Sequence, residues 1–89
     1  MSNGTTALRT AFRFLQQVPA DRRTPEYVRE HQDELWDIID PCIFASLRDT
    51  KDGVDVEFTD ERDMARVQFS RGGARVSLFD DSTEKWVGQ

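Results

Sequence analysis

Apolar positions in the first part of the chain recur every three or four residues, which is the period of an amphipathic α-helix. This pattern predicts a first helix over residues 6–18, and Pro19 ends it because proline cannot continue the hydrogen-bond ladder. Thr5 or Thr6 is expected to cap the first turn. Phe14 falls at the rim of the apolar arc. The arc itself consists of Leu8, Ala11, Phe12, Leu15 and Val18.

A second helix is predicted over residues 25–40, after a clear start signal. Thr24 can cap the first turn, Pro25 suits the first helical position, and Glu26 places a carboxylate near the positive end of the helix. Pro41 ends the segment. The apolar arc of this helix consists of Tyr27, Val28, His31, Leu35, Ile38 and Ile39.

Beyond this second helix the apolar positions alternate, which is the period of a β-strand with one buried face. Strands are predicted over about residues 42–48, 54–59, 64–70 and 74–79. The first of these segments is also compatible with a short helix opened by Asp40-Pro41. The segment around Trp86 is compatible with a short edge strand or with a loose tail.

The loops between the strands predict a pairing that keeps the apolar side chains on one face. A loop of four residues between the second and third strands sets Glu57 beside Arg66 on the opposite face. A two-residue turn at residues 72–73, both glycine, sets Phe69 opposite Val76. Because two independent turns keep one consistent apolar face, we expect an antiparallel meander.

The predicted fold class is α+β, with two N-terminal helices packed on one face of a three- to four-stranded antiparallel meander sheet. The 89 residues, of which 37% are hydrophobic, are expected to form a single domain with one modest core. A chain of this size has little room for a deep, walled pocket. An exposed face is therefore the expected place for binding.

The net charge of −5 is unevenly distributed along the chain. Residues 1–30 carry five basic and three acidic side chains, whereas residues 31–89 carry seven basic and fourteen acidic ones. Proteins that bind duplex nucleic acid usually have the opposite overall sign, because neutralisation of phosphates supplies most of their affinity. Direct nucleic-acid binding is therefore not expected.

Candidate catalytic and metal-binding groups are sparse. His31 is the lone histidine and Cys42 the lone cysteine, so neither a His- or Cys-based metal site nor an intramolecular disulfide can be built. We expect Cys42 to be a small buried apolar residue and His31 to be packed at the edge of the core. Residues 60–63 lack the glycine of a calcium loop and are expected to be a charged hairpin tip. The sequence thus predicts a protein without catalytic activity, metal or cofactor.

The chain contains no apolar run of the length that spans a bilayer, and its first residues do not have the pattern of a secretory signal. The single cysteine fits a reducing compartment. We therefore expect a cytoplasmic protein that does not bind membranes.

Two surfaces are predicted to bind a partner. The first is an acidic stripe on the second helix, with Trp36 between its polar and apolar faces. The stripe consists of Glu26, Glu30, Asp33, Glu34, Asp37 and Asp40. The second is the sheet face that two helices cannot cover, where arginines lie among aromatic side chains as they do in interface centres. Its residues are Phe44, Glu57, Arg66, Gln68, Arg75 and Phe79.

The leading functional hypothesis is a small, acidic, non-catalytic protein–protein interaction module, such as an adaptor, inhibitor or regulatory subunit. Its partner would be another protein, for example one with a basic surface, or a second copy that forms a homodimer through the open sheet face. The alternative is an acidic mimic of nucleic acid that inhibits a DNA- or RNA-binding enzyme, as a small phage-encoded anti-defence protein does.

Overall fold

The computed structural model describes residues 6–89, which form an α+β fold of helices followed by an antiparallel sheet. The helices are α1 (Thr6–Gln17), α2 (Pro25–Glu30) and α3 (Gln32–Trp36), with a 3₁₀ turn at Ala20–Arg22. The strands are β1 (Phe44–Asp49), β2 (Gly53–Thr59), β3 (Met64–Ser70), β4 (Gly73–Asp80) and β5 (Lys85–Gly88). They pair in chain order, β1-β2-β3-β4-β5, as a meander. The predicted fold class is confirmed, with one helix and one strand more than expected.

Helix α1 lies on the sheet with a face rotated from the predicted one: Ala11 and Val18 of the predicted arc are fully buried, and Leu8 and Leu15 are partly buried against the core. Phe14 is fully buried, whereas the sequence pattern placed it at the rim of the apolar arc. Phe12, predicted within the arc, is 38% exposed. The helix is rotated because the small residues Ala7 and Ala11 allow its backbone to approach the sheet, and Phe14 then fills the space below. Of the two threonines predicted to cap this helix, Thr6 is its first residue, and Thr5 lies outside the described residues.

Aromatic side chains form the centre of the core between α1 and the sheet. The Phe14 ring lies 5.4 Å from that of Phe58 and 6.2 Å from that of Phe69, measured between centroids. Trp36 closes the cluster from the third helix, with its ring 6.0 Å from that of Phe14. These tilted contacts add to the area burial of the rings. Valines that are fully buried surround the cluster: Val18, Val28, Val54, Val56 and Val67.

The predicted second helix is divided at His31, whose backbone has φ −111° and ψ 15°. The Thr24 hydroxyl accepts a hydrogen bond from the Tyr27 amide at 3.2 Å, so the predicted start is confirmed. The Tyr27 carbonyl oxygen accepts the His31 amide and lies 3.0 Å from its Nδ1, and the two rings stack at 4.0 Å. The bond from the His31 amide is an ordinary helical one, but the backbone of His31 itself departs from the α conformation and interrupts the helix. The prediction of one helix over 25–40 was therefore wrong at this point.

The helical region also ends earlier than predicted. After Trp36 the amides of Ile38 and Ile39 bond three residues back, so the chain tightens into turns. The Asp40 carboxylate accepts the Cys42 amide at 2.8 Å across Pro41. The predicted boundary at Asp40 was therefore too late, because the helical ladder has already changed to bonds of three residues after Trp36.

The pairing of β2 with β3 has the predicted register, with Val56 opposite Val67 and Glu57 opposite Arg66. The next hairpin is offset from the prediction by two residues. Ser70 pairs with Gly73, so the turn lies at residues 71–72, and Phe69 faces Ala74 instead of Val76. Gly73 has φ 118°, a conformation that side chains disfavour, and this fixes the strand start there.

Both edges of the sheet are now defined. Residues 44–49 form strand β1, paired antiparallel with β2, so the alternative of a helix in this segment is excluded. The segment around Trp86 forms β5, in which Trp86 lies opposite Phe79. The helices pack mainly on β2, β3 and β4. The two edge strands therefore lie at the margins of the helical layer.

An aspartate from a hairpin loop holds the start of α1. The Asp60 carboxylate accepts the amide of Ala7 at 3.0 Å, and it also accepts the amides of Arg62 and Asp63 at 2.7 Å each. Burial alone would raise the pKa of Asp60, but these three backbone donors lower it below its ordinary value. The predicted hairpin tip thus also caps a helix that begins more than fifty residues earlier.

Substitution of the two phenylalanines of α1 should separate the observed face from the predicted one. We expect Phe14→Ala to lower the free energy of unfolding by about 3–5 kcal/mol, because it opens a cavity among buried rings. Phe12→Ala should cost less, about 1 kcal/mol, because Phe12 is 38% exposed and its removal leaves no enclosed cavity. Urea denaturation of both variants measures the difference. A larger effect at Phe12 would contradict the described orientation of α1.

The cap from Asp60 should give the protein a defined sensitivity to acid. At neutral pH, Asp60→Ala is expected to cost about 1 kcal/mol of unfolding free energy. Since the folded-state pKa is lowered, this contribution is complete above the unfolded pKa of about 4 and is lost as the pH falls through the folded value. Urea denaturation at a series of pH values should therefore show the wild type and Asp60→Ala converging in acid. A constant difference down to strongly acidic pH would refute the carboxylate's role.

Candidate interaction surface

We use the term outer face for the side of the sheet that points away from the helices. Its side chains lie in three rows that cross the strands. The first row is largely apolar and contains Phe44, Thr59, Met64, Phe79 and Trp86. The second contains Ser46, Glu57, Arg66, Ser77 and Gly88. The third is charged and contains Arg48, Asp55, Gln68 and Arg75.

All the sheet residues that the sequence singled out lie on this outer face. Phe44 is the most exposed large apolar side chain of the described residues, at 71%, and it lies on the β1 edge. Arg75 is exposed as well. The remaining members are half-buried in the middle of the face: Glu57, Arg66, Gln68 and Phe79. The structure therefore brings these residues together, while their role in binding stays a prediction.

A cluster of one arginine and two aromatic rings occupies the β4–β5 side of the outer face. The guanidinium carbon of Arg66 lies 4.1 Å from the centroid of the Trp86 ring. Phe79 meets Trp86 edge-on, with 5.3 Å between ring centroids. The sequence placed Arg66 and Phe79 on this face but did not include Trp86 among its residues. The missed signal is the four-residue loop after Asp80, which sets Trp86 opposite Phe79.

Arg66 is held tightly in this cluster. Its Nε is buried and has no hydrogen-bond partner within residues 6–89. A buried donor without a partner costs about 1–3 kcal/mol, which the stacking of the guanidinium on the indole offsets. The side chain is therefore held against the Trp86 ring by packing.

Charges on the β1 side of the outer face form a small network around Arg48. The Arg48 guanidinium lies 3.1 Å from the Glu57 carboxylate and 3.7 Å from that of Asp55. The side chain of Asp55 is only 7% exposed, while that of Arg48 is 63% exposed. Sequence reasoning predicted an ion pair between Glu57 and Arg66. The two residues do lie opposite each other, but in the described residues the Glu57 carboxylate pairs with Arg48 instead.

A shallow hollow of about 830 Å³ lies at the end of the outer face that carries the two short hairpin loops. Asp55 and Gln68 form its floor. The loops around it contribute Thr50, Lys51, Asp52, Arg71, Gly72 and Arg75. The lining mixes both signs of charge.

The acidic stripe does not form one continuous row. Its carboxylates are all exposed, but they belong to separate elements because the helix is interrupted at His31. Glu26 and Glu30 lie on α2, whereas Asp33 and Glu34 lie on α3. Asp37 follows the end of α3, and Asp40 lies in the turn that leads to β1. The prediction of a single helical stripe was therefore wrong, although the local concentration of negative charge is real.

Two other residues lie in different surroundings from those expected. Trp36 is half-buried and packs against Phe14 at the margin of the core, while its role in binding stays a prediction. Cys42 is exposed, whereas we expected it to be buried, because the turn around Pro41 carries it away from the sheet. His31 is half-buried and stacked on Tyr27, as a packed boundary histidine would be.

The part of the chain that the structure describes contains no group of three or more His, Cys, Asp or Glu side chains able to hold a metal ion. None of its helices combines the length and the apolar character needed to cross a membrane. No protein-family model, curated protein or solved structure matches this chain.

Proposed function

We propose that this protein is a non-catalytic protein–protein interaction module that binds its partner through the outer face of the sheet. The observation that carries the proposal is the apolar row of that face, which runs from the 71%-exposed Phe44 to the Arg66–Trp86–Phe79 cluster. Trp, Phe and Arg are the residues that most often dominate binding energies. The helices lie on the other side of the sheet and cannot cover them.

The rigidity of the outer face also favours tight binding. Its side chains are carried by hydrogen-bonded strands, and Arg66 is stacked on Trp86 before any partner arrives. A side chain that is already ordered loses little rotamer entropy when it is buried in an interface. The energy of each new contact is then largely available for affinity.

The charge distribution supports a partner that carries basic groups. The outer face is nearly balanced, with Arg48, Arg66 and Arg75 against Asp55 and Glu57, while the whole chain has a net charge of −5. The excess negative charge therefore lies elsewhere, in part on α2 and α3. Such a field attracts a basic surface and accelerates association without being part of the buried contact.

Mimicry of nucleic acid is a weaker proposal. It needs an ordered row of carboxylates at phosphate-like spacing, and the break at His31 divides the row between two short helices. The exposed carboxylates of Asp33 and Asp37 would then carry the binding. Variants of these two aspartates are therefore compared with variants of the outer face in the binding experiment below.

The double variant Arg66→Ala/Phe79→Ala should weaken partner binding tenfold or more, since truncation of a hot-spot residue costs at least about 2 kcal/mol. The matched control is Arg13→Ala/Phe12→Ala, which removes the same two residue types from the exposed side of α1. A partner captured from the source cell is purified, and its dissociation constant is measured by calorimetry with each variant. Circular dichroism verifies that the variants keep the fold.

Charge reversal at Asp33 and Asp37 provides the opposing outcome. Under the outer-face proposal, this variant slows association but leaves the complex intact at moderate salt. Complete loss of binding with Asp33→Lys/Asp37→Lys, and full binding with Arg66→Ala/Phe79→Ala, would overturn the proposal in favour of mimicry.

A further inference from the structure

We propose that strand β1 pairs with the same strand of a second copy of this chain, antiparallel and about a two-fold axis at Ser46. The two sheets would join edge to edge into a single ten-stranded sheet. This homodimer goes beyond the outer-face function and does not depend on it, because it uses the backbone of an edge strand.

The backbone of β1 has free hydrogen-bonding groups along that edge. The Thr50 amide donates to the Gly53 carbonyl oxygen at 2.8 Å, which marks this as a hydrogen-bonded pair of the β1–β2 ladder. Such pairs alternate with pairs whose backbone groups point outward. Counting back along β1, the amides and carbonyls of Ala45, Leu47 and Asp49 therefore point to the open edge, where no described strand pairs with them.

The β1 edge lacks two of the features that normally prevent pairing, and its charged residues, Arg48 and Asp49, are confined to its C-terminal end. Its six residues keep an unbroken register with β2, without a bulge and without a proline. The opposite edge is less suitable. Strand β5 has four residues, and the Gln89 amide donates to Val76, so only Trp86 and Gly88 direct their backbone groups outward there.

Apolar side chains also remain incompletely covered along β1. Phe44 is 71% exposed on the outer face. On the side of the helices, Ala45 and Leu47 are only partly buried, as are Ile38 and Ile39 from the preceding turns. The helices pack chiefly on β2 to β4 and leave this margin of the core open. A second copy seated on the edge would cover both sides of it.

Among the three registers centred on residues 46, 47 and 48, the side chains favour one. In an antiparallel pair, opposite side chains point to the same face of the sheet. Residues paired between two identical strands must therefore differ by an even number of positions, and the two-fold axis passes through the residue midway between them. An axis at Arg48 would set two guanidiniums directly opposite each other, which is destabilising. An axis at Leu47 would set Ala45 opposite the carboxylate of Asp49, which is already paired with Arg29 at 2.8 Å.

An axis at Ser46 gives complementary pairs on both faces. Ala45 then lies opposite Leu47 of the second copy, apolar against apolar on the inner face. On the outer face, Phe44 lies opposite Arg48 of the second copy, an arrangement that permits cation–π contact. The outward backbone groups of Ala45 and Leu47 meet as hydrogen-bonded pairs, and the two Ser46 residues form a non-hydrogen-bonded pair.

Disulfide trapping tests this register directly. A non-hydrogen-bonded antiparallel pair has Cα atoms about 4.5 Å apart, within the range of about 4.4–6.8 Å that a disulfide can bridge. The variant Ser46→Cys is made in a Cys42→Ser background, because the native cysteine is exposed. Under mild oxidation we expect it to shift from the chain mass of 10.3 kDa to twice that value on a non-reducing gel.

The matched control is Arg48→Cys in the same background. The two copies of residue 48 would lie four residues apart along the paired strands, about 14 Å, which no disulfide can span. It should therefore stay at the single-chain mass. Equal cross-linking of both variants would indicate random collision or another register and would overturn the proposal, as would the absence of cross-linking in Ser46→Cys.

Light scattering of the unmodified chain gives an independent result. We expect a molar mass that rises to the dimer value with concentration and persists in high salt, since backbone hydrogen bonds and apolar burial carry the contact. Ala45→Pro should return the protein to a monomer with an unchanged circular dichroism spectrum, because it removes only an outward amide. A monomer at all concentrations would overturn the dimer. The Arg66→Ala/Phe79→Ala variant should still dimerise, so failure of either proposal can be distinguished from failure of the other.

Discussion

Coverage of the sheet is the constraint on which the rest of the structure depends. Five strands about 4.8 Å apart make a sheet some 19 Å wide, whereas one helix with its side chains is about 10 Å across. Helix α1 is the only long helix in the described residues, so it has to lie over the middle strands. The small residues Ala7 and Ala11 let it lie close, and Phe14 fills the centre. The edge strands and the whole outer face are then left for other contacts.

The position of α1 is fixed by a polar contact as well as by packing. Apolar contacts are not directional, and a short helix on a sheet could slide along its axis. The Asp60 carboxylate prevents this, because it accepts the Ala7 amide at 3.0 Å while it also organises its own hairpin loop. One side chain therefore joins the start of the helix to the β2–β3 turn. It sets the depth at which Phe14 enters the core.

The elements that the sequence predicted well are those with strict periodicity. Alternation along β2 and β3, together with a four-residue loop, determined their register to the residue. The β3–β4 hairpin was offset by two residues because a slip of two keeps every side chain on the same face, so the apolar pattern cannot detect it. The wheel of α1 was misplaced for a related reason. With many apolar residues, several rotations are equally amphipathic, and only the shape of the sheet favours Phe14 over Phe12.

Features that depend on contacts between residues distant in sequence could not be predicted from the local pattern of apolar and polar positions. Nothing near Asp60 indicates that it caps a helix at the other end of the chain, and nothing near His31 indicates that its backbone leaves the helical conformation. The same limit applies to the candidate surface. Parity assigned Phe44, Arg66 and Phe79 to the correct face, whereas Trp86 joins them only because β5 pairs with β4.

The two proposed contacts share Phe44 at the β1 edge but otherwise use different parts of the sheet, so they are compatible if the partner binds at the β4–β5 side of the outer face. Pairing through β1 engages its open backbone edge, while the Arg66–Trp86–Phe79 cluster lies on the opposite side of the outer face. An antiparallel two-fold pairing would place the two clusters at opposite ends of the joined sheet. Each would then remain accessible, and a dimer could hold two partner molecules or one partner that is itself symmetric. Because β1 is incompletely covered, it allows two copies to join, and each dimer then carries two binding sites for the same partner. Two linked sites bind a symmetric partner with a gain in avidity.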